Sequence, residues 1–183
     1  TEIVYALDAQ PQLVARDSTS TWPTAAQSLP DVGYLRQLNA EGILSLRPTL
    51  VLASSQAQPS LVLQKVEGSK VKVVNVPGGY DTAAMERKIS VIADALDKRP
   101  QGEALRKTLD EQMAKIPPQA LNKRVLFILS HGGSGALVAG QQTAADGAIK
   151  LAGLQNAMQG FDHYRTMLCR DIKVVSFNLK KTL

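Results

Sequence analysis

Apolar residues follow two alternating rhythms along this chain, and each rhythm predicts an element. Thr49-Leu50-Val51-Leu52-Ala53 and Val71-Lys72-Val73-Val74-Asn75-Val76 are short runs of the kind buried strands carry. Between them, Pro59 suits the first turn of a helix reaching Val66, and Gly68 closes it. Strand, helix and strand in so short a unit imply parallel pairing through a crossover helix. Upstream, Glu2 to Leu7 reads as the end of a helix and Leu13-Val14-Ala15 as a short strand. Arg16 to Thr21 is a polar loop rich in hydroxyls. Trp22-Pro23 and Leu29-Pro30 keep the chain irregular through Tyr34, because proline biases its predecessor away from helix. Asn39 can cap a short helix to Arg47 that turns Ile43, Leu44 and Leu46 inward, and Pro48 ends it. Residues 1–80 therefore read as one small α/β lobe.

The rhythm then changes. Met85, Ile89, Ile92 and Leu96 recur at helical spacing, and Leu105, Leu109, Met113 and Ile116 do so again, with Pro100 and Gly102 interrupting. Two helices with no strand between them make residues 81–118 a helical spacer spanning two lobes, stopped by Pro117-Pro118. The α/β pattern restarts over residues 119–167. Arg124 to Leu129 is a predicted strand, Ser130 to Gly135 a flexible loop at its carboxyl end, and Thr143-Ala144-Ala145-Asp146 opens a helix to about Leu154. Gly160 to Arg165 reads as loop. The tail, 168–183, holds one β-like run, Ile172 to Val175. A second lobe starts here and remains incomplete, with about two strands.

Composition narrows the partners. The net charge of +5 is concentrated at one end, since Arg165, Arg170, Lys173, Lys180 and Lys181 face only Asp171. A nucleic-acid-binding face would spread its bases over the folded body, so no nucleic acid is expected. The longest apolar run, Val125 to Leu129, is far too short for membrane insertion. One cysteine, Cys169, excludes an internal disulfide and leaves the compartment open.

Candidate chemistry is sparse. Ser130 and His131 could be read as nucleophile and base of a hydrolase. Adjacent residues on an extended chain point apart, however, and no G-x-S-x-G elbow is present. Gly132-Gly133-Ser134-Gly135 lacks the endings of a phosphate loop. Pro77 to Tyr80 is a turn, and His163 and Tyr164 belong to a solvated loop. A zinc site is not expected from two histidines and one cysteine. Tyr34 and Arg36 remain. A cation near a phenol favours the phenolate, a hard ligand for ferric iron, and tyrosine is a known axial ligand of haem. In extended chain, residues two apart share a side. The plain alternative is an exposed tyrosine beside a solvated arginine.

Three segments carry a resemblance. Ala15-Arg16-Asp17-Ser18-Thr19-Ser20, Leu29-Pro30-Asp31-Val32-Gly33-Tyr34-Leu35-Arg36-Gln37-Leu38-Asn39-Ala40-Glu41-Gly42, and Ser130-His131-Gly132-Gly133 with Ala139-Gly140-Gln141-Gln142-Thr143-Ala144-Ala145-Asp146-Gly147 closely resemble the periplasmic haem-binding proteins of bacterial hemin ABC importers. The likeness runs in order from Thr1 to about Met167. It implies an α/β, bilobed periplasmic-binding-protein fold of class III type, with two lobes joined by a long helix. It also implies haem b as transported ligand in the interlobe cleft, with Tyr34 on its iron and Arg36 supporting the phenolate or meeting a propionate. His131 would face the cleft from the other lobe and could ligate the iron of a second haem. Arg16 and Ser18 lie in a matching segment and are carried as haem contacts. The implied partners are an inner-membrane ABC permease with its ATPase and an outer-membrane haem receptor, in the periplasm, with no catalysis. A ferric-siderophore or cobalamin carrier on the same scaffold, or a fragment without function, are the alternatives. The chain begins after the family's first strand and departs from its pattern after Met167, so truncation at both ends is expected, the tail being that of a truncated or frame-shifted product.

Overall fold

The computed structural model describes residues 1–117, 121–168 and Ile172. The chain divides into two compact units, one of Thr1–Gly78 with Thr82–Lys115, the other of Gly79–Asp81 with the described residues from Ile116 onward.

The first unit is a two-stranded parallel sheet with helices on both faces. Its elements are α1 (Glu2–Ala6), α2 (Ala40–Ser45), β1 (Leu50–Ser54), α3 (Ser60–Gly68), β2 (Lys72–Val76), α4 (Thr82–Ala95) and α5 (Arg99–Ala114). Strands β1 and β2 pair in parallel from Leu50↔Lys72 to Ser54↔Val76, as a crossover through α3 requires. Alternation along the strands divides the core between the two faces. Leu50, Leu52 and Val76 pack with Val4, Leu7, Ile92, Ala93 and Leu96. Val51 and Val73 pack with Ile43, Val66 and Val71. Asn39 caps α2 as expected, its Oδ1 accepting from the Glu41 N–H at 2.8 Å.

Several expectations in this unit change. Residues 13–15 form no strand; pairing begins one residue later, in a parallel bridge of Arg16 with Asp31. The stretch before Tyr34 is not wholly irregular, since Thr24–Ser28 makes a 3-10 helix. Pro59 occupies the N-cap of α3, not its first turn. Met85 is 48% exposed, and Ala84 and Ala93 share the buried stripe with Ile89 and Ile92. Pro100 and Gly102 do not interrupt α5. Pro100 sits in its first turn, where the missing N–H costs nothing. Gly102 is buried, and a Cβ there would lie 2.6 Å from that of Ala93 in α4. Close packing of α4 and α5 puts both helices inside the first unit.

The second unit holds β3 (Arg124–Val125), β4 (Ile128–Gly132), β5 (Gly135–Ala139), α6 (Ala144–Leu151), β6 (Gln155–Asn156) and β7 (Tyr164–Leu168). The predicted strand 124–129 is split. Its first part pairs in parallel with β6, and its second part becomes β4 of an antiparallel sheet ordered β4-β5-β7. The predicted loop 130–135 is thereby a hairpin, with Gly132 opposite Gly135 and Gly133 at φ +58 in the turn. Helix α6 stops at Leu151, short of Leu154, and Tyr164 and Arg165 open β7 instead of closing a loop. Buried Ala136, Val138 and Met158 form the centre of this unit, with Leu126, Phe161 and Met167 against them. The β-like run at 172–175 lies outside the described residues except for Ile172.

Candidate functional site

Tyr34 lies on a loop clamped on both sides. On its N-terminal side the backbone of Arg16 brackets Asp31: the Arg16 N–H donates to Pro30 O at 2.9 Å, and the Val32 N–H donates to Arg16 O at 2.9 Å. The Ser18 N–H continues the ladder to Gly33 O at 3.0 Å. Asp31 gathers the side chains. Its Oδ1 accepts from the Gly33 N–H at 2.7 Å and from Ser18 Oγ at 2.9 Å, and its Oδ2 accepts from Arg16 Nη1 at 3.3 Å. The first of these is an Asx-turn, which leads into Gly33 at φ +96, where a side chain would be strained.

On the C-terminal side, the Gln37 N–H donates to Tyr34 O at 2.8 Å, closing a turn over Leu35 and Arg36. Gln58 fastens that turn, its N–H donating to Leu35 O at 2.7 Å while its carbonyl accepts from the Leu38 N–H at 3.0 Å. Tyr34 as a whole residue is left 42% exposed. The turn also alters the geometry expected for Arg36. Residues 34 and 36 are not two steps along extended chain, and the Arg36 guanidinium donates to Gln56 Oε1 at 3.4 Å.

The Arg16 side chain is 12% exposed and Asp31 41%. Arg16 Nη1 also reaches Asp17 O at 3.0 Å. Hydrogen bonds from the Gly33 amide and the Ser18 hydroxyl hold the Asp31 carboxyl below the usual carboxylate range. Burial pushes Asp17 upward, but hydrogen bonds from Ser20 and Thr19 outweigh it and leave Asp17 lowered as well. The loop is thus stitched together by two ionised aspartates and one arginine. Asp31 is the residue at the centre of this loop that reading the sequence for ligands passes over. The Asp-x-Gly spacing of an Asx-turn was its available signal.

His131 belongs to the second unit. It lies on β4, opposite Ala136 of β5, and is exposed along with the rest of that strand. Because it is in a strand, its neighbour Ser130 points to the opposite face, which removes the geometry a nucleophile–base pair would need. The structure thus brings Arg16, Ser18 and Tyr34 together in one loop assembly, places Arg36 on the adjoining turn, and puts His131 in the other unit.

Among the described residues no group of three or more His, Cys, Asp or Glu is arranged to hold a metal ion, and no helix is long and apolar enough to cross a membrane. A recess of about 370 Å³ is lined by Ala83, Glu86, Ser90, Val91 and Arg106 of α4 and α5, among others, and by no residue of the Tyr34 loop.

Residues 1–166 match the model of the periplasmic binding protein family. Among solved structures, the periplasmic heme-binding protein BhuT in complex with two hemes superposes with a TM-score of 0.86 at 44% identity, covering 95% of this chain and 69% of that one. The periplasmic heme-binding protein HutB of Vibrio cholerae gives 0.79 at 35% identity, covering 90% of this chain and 65% of that one. Among curated proteins, a vitamin B12-binding protein of Vibrio vulnificus (strain YJ016) is 36% identical over 73 residues, which is 40% of this chain and 27% of that protein. The chain therefore spans about a quarter of that curated relative and about two thirds of the solved chains.

Proposed function

Because this chain belongs to the periplasmic binding protein family, we propose that it is the haem-capturing component of a haem ABC importer and works in the periplasm. Tyr34 binds the ferric iron through its phenolate, and haem b is cargo, not a catalytic group. The observation that carries this reading is the state of Tyr34: the backbone around it is fixed from both sides by hydrogen bonds while the residue stays exposed. A ligand to a large flat cargo needs both properties, since a fixed donor loses less freedom on binding and an exposed one can be reached. Likeness at 44% and 35% identity to two chains named for heme binding supports the choice of cargo.

In this proposal Arg36 meets a propionate or the phenolate, and Arg16 and Ser18 serve the same site. His131 is the candidate ligand for the iron of a second haem. Loaded protein would pass its cargo to an inner-membrane permease and its ATPase, after an outer-membrane receptor has admitted it. No chemical step is assigned to the chain.

The test is a titration of the purified chain with ferric haem, read by absorbance with stoichiometry. A saturable phenolate-type charge-transfer band that disappears in Tyr34→Phe is expected. The same band and affinity in that variant would rule Tyr34 out. The curated vitamin B12-binding relatives support a second reading, a cobalamin carrier. Saturable binding of cyanocobalamin, with haem bound only non-stoichiometrically, would select it.

A further inference from the structure

We propose that Asp31 is the positioning residue of Tyr34, setting where the phenol stands without touching the cargo itself; this rests on the reading of Tyr34 as the iron ligand. Three donors from three different residues converge on one carboxylate: the Gly33 amide, the Ser18 hydroxyl and the Arg16 guanidinium. Two of these donors lie 13 and 15 residues away in sequence, so Asp31 adds side-chain bonds between two stretches whose backbones meet in the short Arg16–Asp31 bridge and the Ser18–Gly33 bond. The third is the N–H of Gly33, the residue before Tyr34. Asp31 thus fixes the Val32–Gly33 peptide, one unit before the peptide that carries Tyr34, and Ser18, which Asp31 also holds, donates its own N–H to Gly33 O at 3.0 Å on that next peptide. Gly33 between them sits at φ +96, where a side chain would be strained. Arg36, the neighbour expected to hold the phenolate, is engaged with Gln56.

The carboxylate oxygens divide the work. Oδ1 holds the local turn and Ser18, and Oδ2 holds Arg16. Asn at this position keeps the acceptor for Gly33 and Ser18 but turns an amide donor toward the Arg16 guanidinium. Ala removes both. The two variants therefore separate the turn from the ion pair.

The experiment compares the parent chain, Asp31→Asn, Asp31→Ala and Tyr34→Phe. Amide hydrogen exchange of residues 32–37 is followed without haem, and the charge-transfer band is followed at saturating ferric haem. Asp31→Ala is expected to speed exchange in this segment, to weaken haem binding about tenfold, the scale of one lost charge-assisted hydrogen bond, and to shift or diminish the band even at saturation. Asp31→Asn is expected to restore most of the band. An unchanged band in saturated Asp31→Ala, whatever its affinity or exchange, overturns the proposal, because a merely structural role would not touch the ligand spectrum. Failure of Asn to restore any of it, with the band altered in Ala, supports the proposal and assigns the positioning to the Arg16 pair instead of the turn. A band that survives Tyr34→Phe removes the Tyr34 reading first and Asp31 with it, an outcome distinct from both.

Discussion

Asn156 donates from Nδ2 to Asp146 Oδ1 at 3.1 Å, joining β6 to the first turn of α6 with both side chains almost wholly withdrawn from water. The same Asn156 amide reaches Ala139 O and Gly140 O, and its Oδ1 accepts from the Met158 N–H at 2.9 Å. Asp146 is also paired with Lys150 at 2.8 Å. Asn156→Ala would leave a buried carboxylate oxygen and two carbonyls short of a donor. A loss of about 2 kcal/mol is expected, read as a lower midpoint in urea unfolding followed by far-UV circular dichroism. An unchanged midpoint would show that the second unit does not depend on this network.

The pH dependence of stability follows from Asp146. Burial raises its pKa, but hydrogen bonds from Lys150 and Asn156 outweigh burial and lower it overall. A folded-state pKa below the unfolded one, near 4, means the unfolded chain binds the proton first as the pH falls. The stabilisation is therefore fully present above the unfolded value and is lost as the pH drops through the folded one. Asp146→Asn should melt below the parent at pH 7, and the gap should narrow as the pH falls below the unfolded carboxylate value of about 4. A gap that stays constant across that range would refute the assignment.

Two glycines should respond to alanine with opposite signs. Gly102 is buried in α5, and an added Cβ would meet the Ala93 Cβ at 2.6 Å, a contact neither helix backbone can avoid without moving. Gly102→Ala is expected to cost about 1–2 kcal/mol, overpacking exceeding the gain in helix propensity. Gly42 lies in α2 with nothing within 4 Å of such an atom. Gly42→Ala should stabilise by about 0.5–1 kcal/mol. Thermal unfolding of both variants beside the parent checks the pair, and equal shifts would contradict it.

Arg36 provides a further separation. Its guanidinium is bonded to Gln56, so Arg36→Ala should leave the ligand band intact and weaken haem binding by less than about tenfold, the scale of one exposed charged contact. Loss of the band in that variant would mean that Arg36 holds the phenolate directly.

Much of this molecule was legible in the chain because much of it is local. The Asn39 cap, the Thr143 cap of α6 and the strand–helix–strand of β1, α3 and β2 each depend on residues within a few positions of one another. The segment around Tyr34 was equally visible in the residues themselves. Where reading failed, the deciding contact was distant. The run from Arg124 to Leu129 is uniformly apolar after its first residue, and nothing in it marks the point where pairing passes from β6 to β5. Ser130 and His131 look like a loop beside two glycines, and only the opposite strand makes them part of a hairpin.

Tyr34 itself joins the two cases. Its identity, and the proline and glycine that keep it out of a helix, are written in the residues around it. How it is held is not. Side-chain alternation along an extended chain favoured Arg36 as its companion, whereas folding closed a turn over Arg36 and brought Arg16 and Ser18 to Asp31. Local preferences choose conformations for a few residues at a time. The partner of a charged group is chosen by which distant backbone comes within hydrogen-bonding reach, and that is decided only once the chain has folded.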